Sequence, residues 1–322
     1  MTPRSSFLLL ILAFLIATPA VHAQAWPEKP VRIIVPFPAG GNTDSQARIA
    51  ADWLARHIKG TFVVENRPGA GGAIAADMVA KSAADGYTLF MATLPQMAIL
   101  PALGKLPYDP VRDFSLISIV GSNDFALALN DMIPAKTLSE FVAYVKERPG
   151  KLNYASAGNG SVSHLSMAML LHRAGLQMTA VTYKGEPPAL TDVLAGHIPA
   201  YFGNLAGIVP HFRAGKVKVL AVSGNKRASL LPNVPTVAEQ GFPGFRTSTW
   251  NGLAAPAGTP TAIIERIAQE IGAGSKDPEF IKKLASIGID AVGNSPAEFA
   301  EVLESDIKIW AEAVRISGAK VE

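Results

Sequence analysis

Three glycine-rich turns hold the residues whose types and spacing indicate the clearest chemistry. In the first turn, the apolar run Val31–Val35 leads to paired glycines, and Thr43 and Gln46 then have the spacing of a capping box, which predicts a helix start. Glycines before a helix let backbone N–H groups approach a ligand, and the positive end of the helix dipole favours an anion. We therefore expect an anion-binding loop, whose residues are Phe37, Pro38, Ala39, Gly40, Gly41, Asn42 and Asp44.

The second and third turns follow two further predicted strands, at 153–156 and 179–183. Ligands of open α/β sheets bind beyond the carboxyl ends of the strands, so we expect all three turns to line one cleft. Among the three turns, only Lys184 adds a full positive charge. The residues that we expect at the cleft from these two turns are Ser156, Ala157, Gly158, Asn159, Gly160, Ser161, His164, Tyr183, Lys184 and Gly185.

Ser161 and His164 are three residues apart and raise the hypothesis of a hydrolase with a serine nucleophile and a histidine base. The sequence has no orienting carboxylate beside them and no G-x-S-x-G elbow. We therefore expect Ser161 to cap a helix and His164 to make a structural or ligand hydrogen bond. The prediction is a binding protein without catalytic residues.

Signals for cofactors, metals and nucleic acids are missing from the sequence. No G-x-G-x-x-G follows a predicted strand, no Walker-type Lys-Ser/Thr pair occurs, and the six histidines form no H-E-x-x-H motif. The formal net charge is +3, and Lys and Arg are scattered without the clusters that neutralise phosphates. We expect no cofactor, no metal ion and no nucleic-acid partner.

The N-terminal segment, residues 1–23, has the features of a cleaved secretory signal peptide. Arg4 is its only charge, an apolar run extends from Phe7 to Ala17, and Val21 and Ala23 place small residues at a cleavage site. The apolar run is too short to cross about 30 Å of hydrocarbon comfortably. The chain has no cysteine, which excludes both disulfides and a lipid-modified cysteine after the signal. We expect a periplasmic monomer.

Short apolar runs alternate with helical patterns along most of the chain, which predicts an α/β fold. A first series of predicted strands ends near residue 124 and a second begins at 125, whereas 250–255 returns to the first sheet. We therefore expect a two-lobe periplasmic binding protein fold of type II character, each lobe a mostly parallel sheet flanked by helices. The predicted lobes are 24–124 with 246–322, which includes three C-terminal helices, and 125–245.

Seven segments, in order along the chain, resemble the Bug family, the solute receptors of tripartite tricarboxylate transporters. They are residues 26–41, 64–72, 85–89, 160–165, 183–185, 231–239 and 256–260. The resemblance implies capture of a small carboxylate, such as a di- or tricarboxylate or an aromatic acid, and delivery to membrane permease subunits. A receptor that reports to a two-component sensor kinase is the alternative output.

The resemblance also implies which residues hold the ligand. It implies contacts from loop 37–44 through backbone groups and waters, and from the turns at 156–164 and 183–185. Family members often carry an aspartate after the strand at 199–202, where this chain has glycine and asparagine, so an amino-acid ligand is not expected. The remaining residues that we expect at the cleft are Thr93, Gly203, Asn204 and Trp250.

Overall fold

A computed structural model describes residues 26–320, so the predicted signal peptide lies outside the described residues. The strands are β1 (Val31–Val35), β2 (Phe62–Asn66), β3 (Thr88–Thr93), β4 (Phe114–Asn123), β5 (Phe125–Leu129), β6 (Asn153–Ser156), β7 (Thr179–Thr182), β8 (Ala200–Asn204), β9 (Lys218–Val222), β10 (Thr249–Pro256) and β11 (Asp290–Ala291).

Ten α-helices are present in the described residues. They are α1 (Asn42–Ile58), α2 (Ala73–Ala80), α3 (Leu100–Leu103), α4 (Leu138–Lys146), α5 (Val162–Ala174), α6 (Glu186–Leu194), α7 (Leu205–Arg213), α8 (Thr261–Gly274), α9 (Pro278–Ser286) and α10 (Pro296–Ser317). A π-helical segment, Pro95–Ile99, precedes α3. None of these helices is long and apolar enough to span a membrane.

The strands form two sheets, which confirms the predicted two-lobe α/β architecture. The first has the order β11-β4-β10-β3-β1-β2 and the second the order β7-β6-β8-β5-β9. Strands β1, β2 and β3 are parallel, as are β6, β7 and β8. The strands next to the crossings, β4, β10, β5 and β9, pair antiparallel because the chain enters and leaves each sheet through them.

The chain changes sheets twice, first at Asp124, between β4 and β5, and again between β9 and β10. We propose that these two crossings limit the lobes, with 24–124 and 246–322 in one and 125–245 in the other. The C-terminal helix α10 packs against both β4 of the first sheet and α5 beside the second. One apolar core therefore continues from the first sheet to the second, through residues such as Phe299, Leu165 and Phe202.

Most predicted helices and strands lie within two residues of their observed bounds, but one helix was missed and one predicted helix cap does not form. Helix α7 was not predicted, because Gly207 and Pro210 interrupt its pattern. The predicted capping box at Thr43 does not form: α1 begins at Asn42, and its N-cap, Gly41, has no side chain to donate or accept. The Gln46 amide instead donates to Asn42 Oδ1 at 2.6 Å.

Candidate binding cleft

A cavity of about 130 Å³ lies between the two sheets at the crossings, where the carboxyl ends of β3, β4 and β8 meet. In the first sheet, Asn251 pairs with Thr93, and Thr249 pairs with Asn123, so the start of β10 and the end of β4 share this edge. In the second sheet, Asn204 ends β8 opposite the start of β5. The lining residues are Phe37, Asn42, Thr43, Thr93, Pro95, Asn123, Asn204, Thr249 and Asn251.

Four of the nine lining residues were predicted from the sequence, namely Phe37, Asn42, Thr93 and Asn204. The other five were missed: Thr43, Pro95, Asn123, Thr249 and Asn251. Three of the missed residues flank the two crossings. The sequence signal that locates these three is their polar character beside the points, near 124 and 246, where the chain is predicted to pass from one sheet to the other.

The lining is polar and uncharged: four asparagines and three threonines accompany Phe37 and Pro95. Such side chains donate and accept hydrogen bonds without a formal charge. A larger groove of about 620 Å³ lies elsewhere, on the first lobe alone, and its lining is mostly aliphatic, with residues such as Ala73, Met78 and Leu106. The smaller cavity draws residues from both sheets, which is the property that cleft closure requires.

The start of α1 is fixed against the first sheet. Thr43 Oγ1 donates to Asn251 Oδ1 at 3.2 Å, which holds the first turn of the helix over β10. Asn42 Nδ2 donates to the carbonyl of Ile287 at 3.3 Å. The unpaired N–H groups of a first helical turn carry partial positive charge, so the position suits an anion.

Asp44 lies outside the cavity lining and fixes the loop from within. Its carboxylate, which is 3% exposed, accepts from the Gly40 N–H, from Arg48 and from Asn66 at 2.9 to 3.0 Å. Burial would raise the pKa of Asp44, but these hydrogen bonds outweigh it and hold the pKa below its ordinary value. Asn66 also donates to the Phe37 carbonyl at 2.9 Å, so the carboxylate shapes the loop before any ligand arrives.

The second sheet presents the N-terminus of α7 to the cavity. Asn204 is the N-cap of this helix, and its Oδ1 accepts from the Ala206 N–H at 3.0 Å. The preceding Gly203 has a packing role, because a Cβ there would lie 1.8 Å from the Tyr201 ring. Asn204 therefore faces the cleft, whereas Gly203 leaves room for a buried tyrosine.

Trp250 does not line the cleft, contrary to the predicted site. It is 2% exposed, packs edge-to-face on Phe299, and donates from Nε1 to Asp306 at 2.7 Å. Successive side chains of a strand point to opposite faces, so the neighbours Thr249 and Asn251 reach the cavity instead. The prediction located the right strand and chose the face that is buried.

The predicted second turn, 156–161, is paired with its own backbone and with the C-terminus. Ser156 Oγ donates to the Gly158 carbonyl at 2.9 Å, and the Ala157 N–H donates to Ser163 Oγ at 2.9 Å. Asn159 Nδ2 donates to the Lys320 carbonyl at 3.1 Å, and Gly160 lies against Leu103 of the first lobe. None of these predicted residues lines the cavity.

The third turn is joined to the second. The Gly185 N–H donates to the Ala157 carbonyl at 3.0 Å, with Gly185 at a φ of +104° that favours glycine. The Tyr183 hydroxyl donates to Asp192 at 2.5 Å, and Lys184 is exposed. Like the second turn, these residues lie outside the cavity lining.

Ser161 caps α5, as expected from the sequence, with its Oγ accepting from the His164 N–H at 3.3 Å. The His164 ring accepts from the Gly160 N–H through Nδ1 at 3.2 Å and stacks on Tyr154. Burial lowers the pKa of His164 because the charged imidazolium is poorly solvated. The pair thus forms a helix cap, not a nucleophile with its base.

Among residues 26–320, no group of three or more His, Asp or Glu side chains is arranged to hold a metal ion. The cavity lining likewise offers no acid, base or nucleophile pair, only amide and hydroxyl groups. The arrangement is suited to binding. The fold and this cleft define a solute-binding protein with two α/β lobes.

Comparisons with known proteins identify the family. The model of the tripartite tricarboxylate transporter family receptor matches residues 46–318, and the chain belongs to this family. It is 35% identical to Protein BugT of Bordetella pertussis over 321 residues, 98% of each chain.

Solved structures agree with this assignment. A Rhodopseudomonas palustris protein with adipate is 34% identical, with a TM-score of 0.77, over 92% of this chain and all of that one. MatC from the same organism, with bound malate, is 33% identical, with a TM-score of 0.73, over 90% of this chain and all of that one. Members of this family are periplasmic solute receptors.

Proposed function

We propose that this protein captures a small carboxylate by closing its two lobes, and delivers it to the permease subunits of a tripartite tricarboxylate transporter. The observation that carries the proposal is the convergence of two helix N-termini, α1 and α7, on one cavity between the sheets. The N-terminus of α1 favours an anion through its free N–H groups and its dipole. At α7 the Leu205 and Ala206 N–H groups already donate to the Asp124 carbonyl and to Asn204 Oδ1, so this helix contributes mainly through its dipole and the Asn204 side chain.

The hydrogen-bond donors of the cleft come from both lobes, and this arrangement favours closure around a ligand. Asn42 and Thr43 belong to the first sheet's side of the cleft, and Asn204 belongs to the second. A ligand that bonds to both sides is held more tightly in the closed state than in the open one, and this difference in affinity shifts the population to the closed state.

The neutral lining favours a particular kind of acid. A bound carboxylate would accept hydrogen bonds from amide and hydroxyl donors and from the helix ends, with no lysine or arginine required. Only Phe37 and Pro95 offer apolar lining, so an aliphatic acid with several polar groups suits the cavity better than an aromatic acid. The bound adipate and malate of the two related structures support this choice.

Location and assembly follow from the same proposal. Residues 1–23 act as a cleaved signal peptide, the receptor works as a periplasmic monomer, and the closed form docks on the permease. No cofactor or metal takes part in ligand capture.

Thermal unfolding tests the proposal. The protein is first unfolded and refolded to remove any bound ligand, then heated with mono-, di-, tri- and aromatic carboxylates, using matched amines as controls. A ligand at about 100 times its dissociation constant stabilises by about 2.7 kcal/mol, which shifts Tm by a few degrees. A shift with carboxylates alone supports the proposal, whereas no shift with any carboxylate overturns it.

A further inference from the structure

Asn123, the last residue of β4, lies at the first crossing between the sheets and lines the cleft cavity. It is 5% exposed, and its side-chain nitrogen Nδ2 is buried without a hydrogen-bond partner among residues 26–320. Buried donors in native proteins are nearly always paired, because an unpaired one loses its hydrogen bonds to water and gains nothing in return. The cavity beside Asn123 is the space from which an acceptor can come.

The Asn123 amide can reach that space without a change in the backbone. Asn123 is itself one of the lining residues, and the χ2 torsion of asparagine is broad, so a rotation about this bond turns the amide N–H toward an acceptor in the cavity. The neighbouring lining residues Thr249 and Asn204 also carry hydrogen-bonding side chains, and a carboxylate has enough lone pairs for all three.

The sheet register sets the distance between Asn123 and the start of α1. Asn123 pairs with Thr249 of β10, and the first turn of α1 is held over the same strand by the bond from Thr43 to Asn251. Neighbouring strands lie about 4.8 Å apart, so the separation along the sheet edge is on the order of one strand spacing. A ligand with one acceptor group at α1 needs only a short chain to place a second beside Asn123.

We propose that Asn123 binds the second carboxylate of a short aliphatic dicarboxylate whose first carboxylate lies at the N-terminus of α1, an inference that rests on the proposed carboxylate capture. Asn123 then determines specificity, because a monocarboxylate of the same length leaves its amide unpaired. An amide suits this task since it donates to a carboxylate without bringing a charge into the closed cleft.

Isothermal titration calorimetry on the refolded protein tests the inference. The probes are succinate, glutarate and adipate, each compared with the monocarboxylate of equal carbon number. The wild type is expected to bind at least one dicarboxylate about tenfold or more tightly than its monocarboxylate. Asn123→Leu, which has a similar shape and no donor, is expected to lose that preference while its affinity for the monocarboxylate stays within about threefold.

Thr247→Val is the matched control. Thr247 lies on the other crossing, is 1% exposed, and has a buried Oγ1 without a partner among the described residues, but it does not line the cavity. This variant should keep the wild-type preference for the dicarboxylate. If Asn123→Leu does not fold, as judged by thermal unfolding, Asn123→Ser replaces it, because serine keeps a polar group but is too short to reach the same acceptor.

The outcomes separate the two proposals. If the wild type binds no carboxylate, the proposed function itself fails. If the wild type prefers a dicarboxylate and Asn123→Leu keeps that preference, or if the variant weakens mono- and dicarboxylates equally, carboxylate capture stands and the role of Asn123 is overturned. Loss of the preference in Thr247→Val as well would also overturn the assignment to Asn123.

Discussion

The Trp250 indole donates to Asp306 Oδ2 at 2.7 Å and thereby ties the second crossing strand, β10, to the C-terminal helix α10. Arg246, in the segment that leads into β10, forms an ion pair with the same carboxylate. Asp306 is 1% exposed, and burial raises its pKa against the opposing effects of Arg246 and Trp250. The second crossing and the last helix thus share one buried carboxylate.

Asp306→Ala is expected to destabilise the protein strongly. The change leaves Arg246, whose side chain is 18% exposed, without its partner and the Trp250 N–H unpaired, and removal of one member of a buried pair costs about 3–5 kcal/mol. Urea unfolding measures the effect. Glu304→Ala, an exposed change on the same helix, should stay within about 0.5 kcal/mol of the wild type. A loss below about 1 kcal/mol for Asp306→Ala would contradict the buried-pair account.

Asp124, between β4 and β5, predicts a pH dependence of stability. Burial raises its pKa to about 6, repulsion from Asp290 adds to the rise, and Lys226 and Arg246 oppose it. The folded state therefore binds a proton more readily than the unfolded chain, so this group lowers stability as pH rises from about 4 to about 6.

Asp124→Asn should remove that loss. A pKa that rises from 3.8 to about 6 corresponds to about 3 kcal/mol, an upper bound on the gain in unfolding free energy at pH 7. The gain should disappear below about pH 4, where the wild-type carboxyl is protonated in both states. Denaturant unfolding at pH 4 and pH 7 measures the difference, and equal effects at the two pH values would refute the explanation.

Asp44→Asn should weaken ligand capture through the loop, although Asp44 lies outside the cavity lining. The change removes the charge that Arg48 and the Gly40 N–H bind, so the loop before α1 loses its fixed shape. We expect about a tenfold loss in carboxylate affinity by calorimetry. Asp52→Asn on the same helix is the control, because its exposed pairs with Arg56 and Lys283 contribute little. Equal effects of the two changes would remove the special role of Asp44.

Ala206→Leu should hinder closure at the rim of the cleft. Ala206, in the first turn of α7, lies so close to Gly288 of the other lobe that a Cβ on Gly288 would be 2.2 Å from Ala206 Cβ. A larger side chain would be overpacked wherever the lobes approach this closely and would cost about 1–3 kcal/mol, so affinity should fall about fivefold or more if closure uses this contact.

The control for this prediction is a substitution of the same kind away from the contact. Ala214→Leu enlarges an exposed alanine at the other end of α7 and should leave affinity unchanged. If Ala206→Leu binds as tightly as the wild type, the contact at Gly288 is not part of closure.

The sequence determined the elements that depend on local pattern. Apolar runs between turns located β1 and β10, the glycines at 40 and 41 marked the start of α1, and ordered motifs along the chain pointed to the receptor family. These predictions succeed because strand periodicity, glycine conformations and helix starts are set by residues close together in the chain.

The tertiary structure decided which of these residues meet at the cleft. Thr249 and Asn251 reach the cavity and Trp250 does not, because the pairing of β10 with β3 and β4 sets which of its side chains point to each face of the sheet. The turn at 156–161 lies against Lys320 and Leu103, which are distant in sequence and unpredictable from its own residues. Asn123 lines the cavity because an edge of the first sheet meets an edge of the second sheet there. Only the packing of segments that are distant in sequence brings these two edges together.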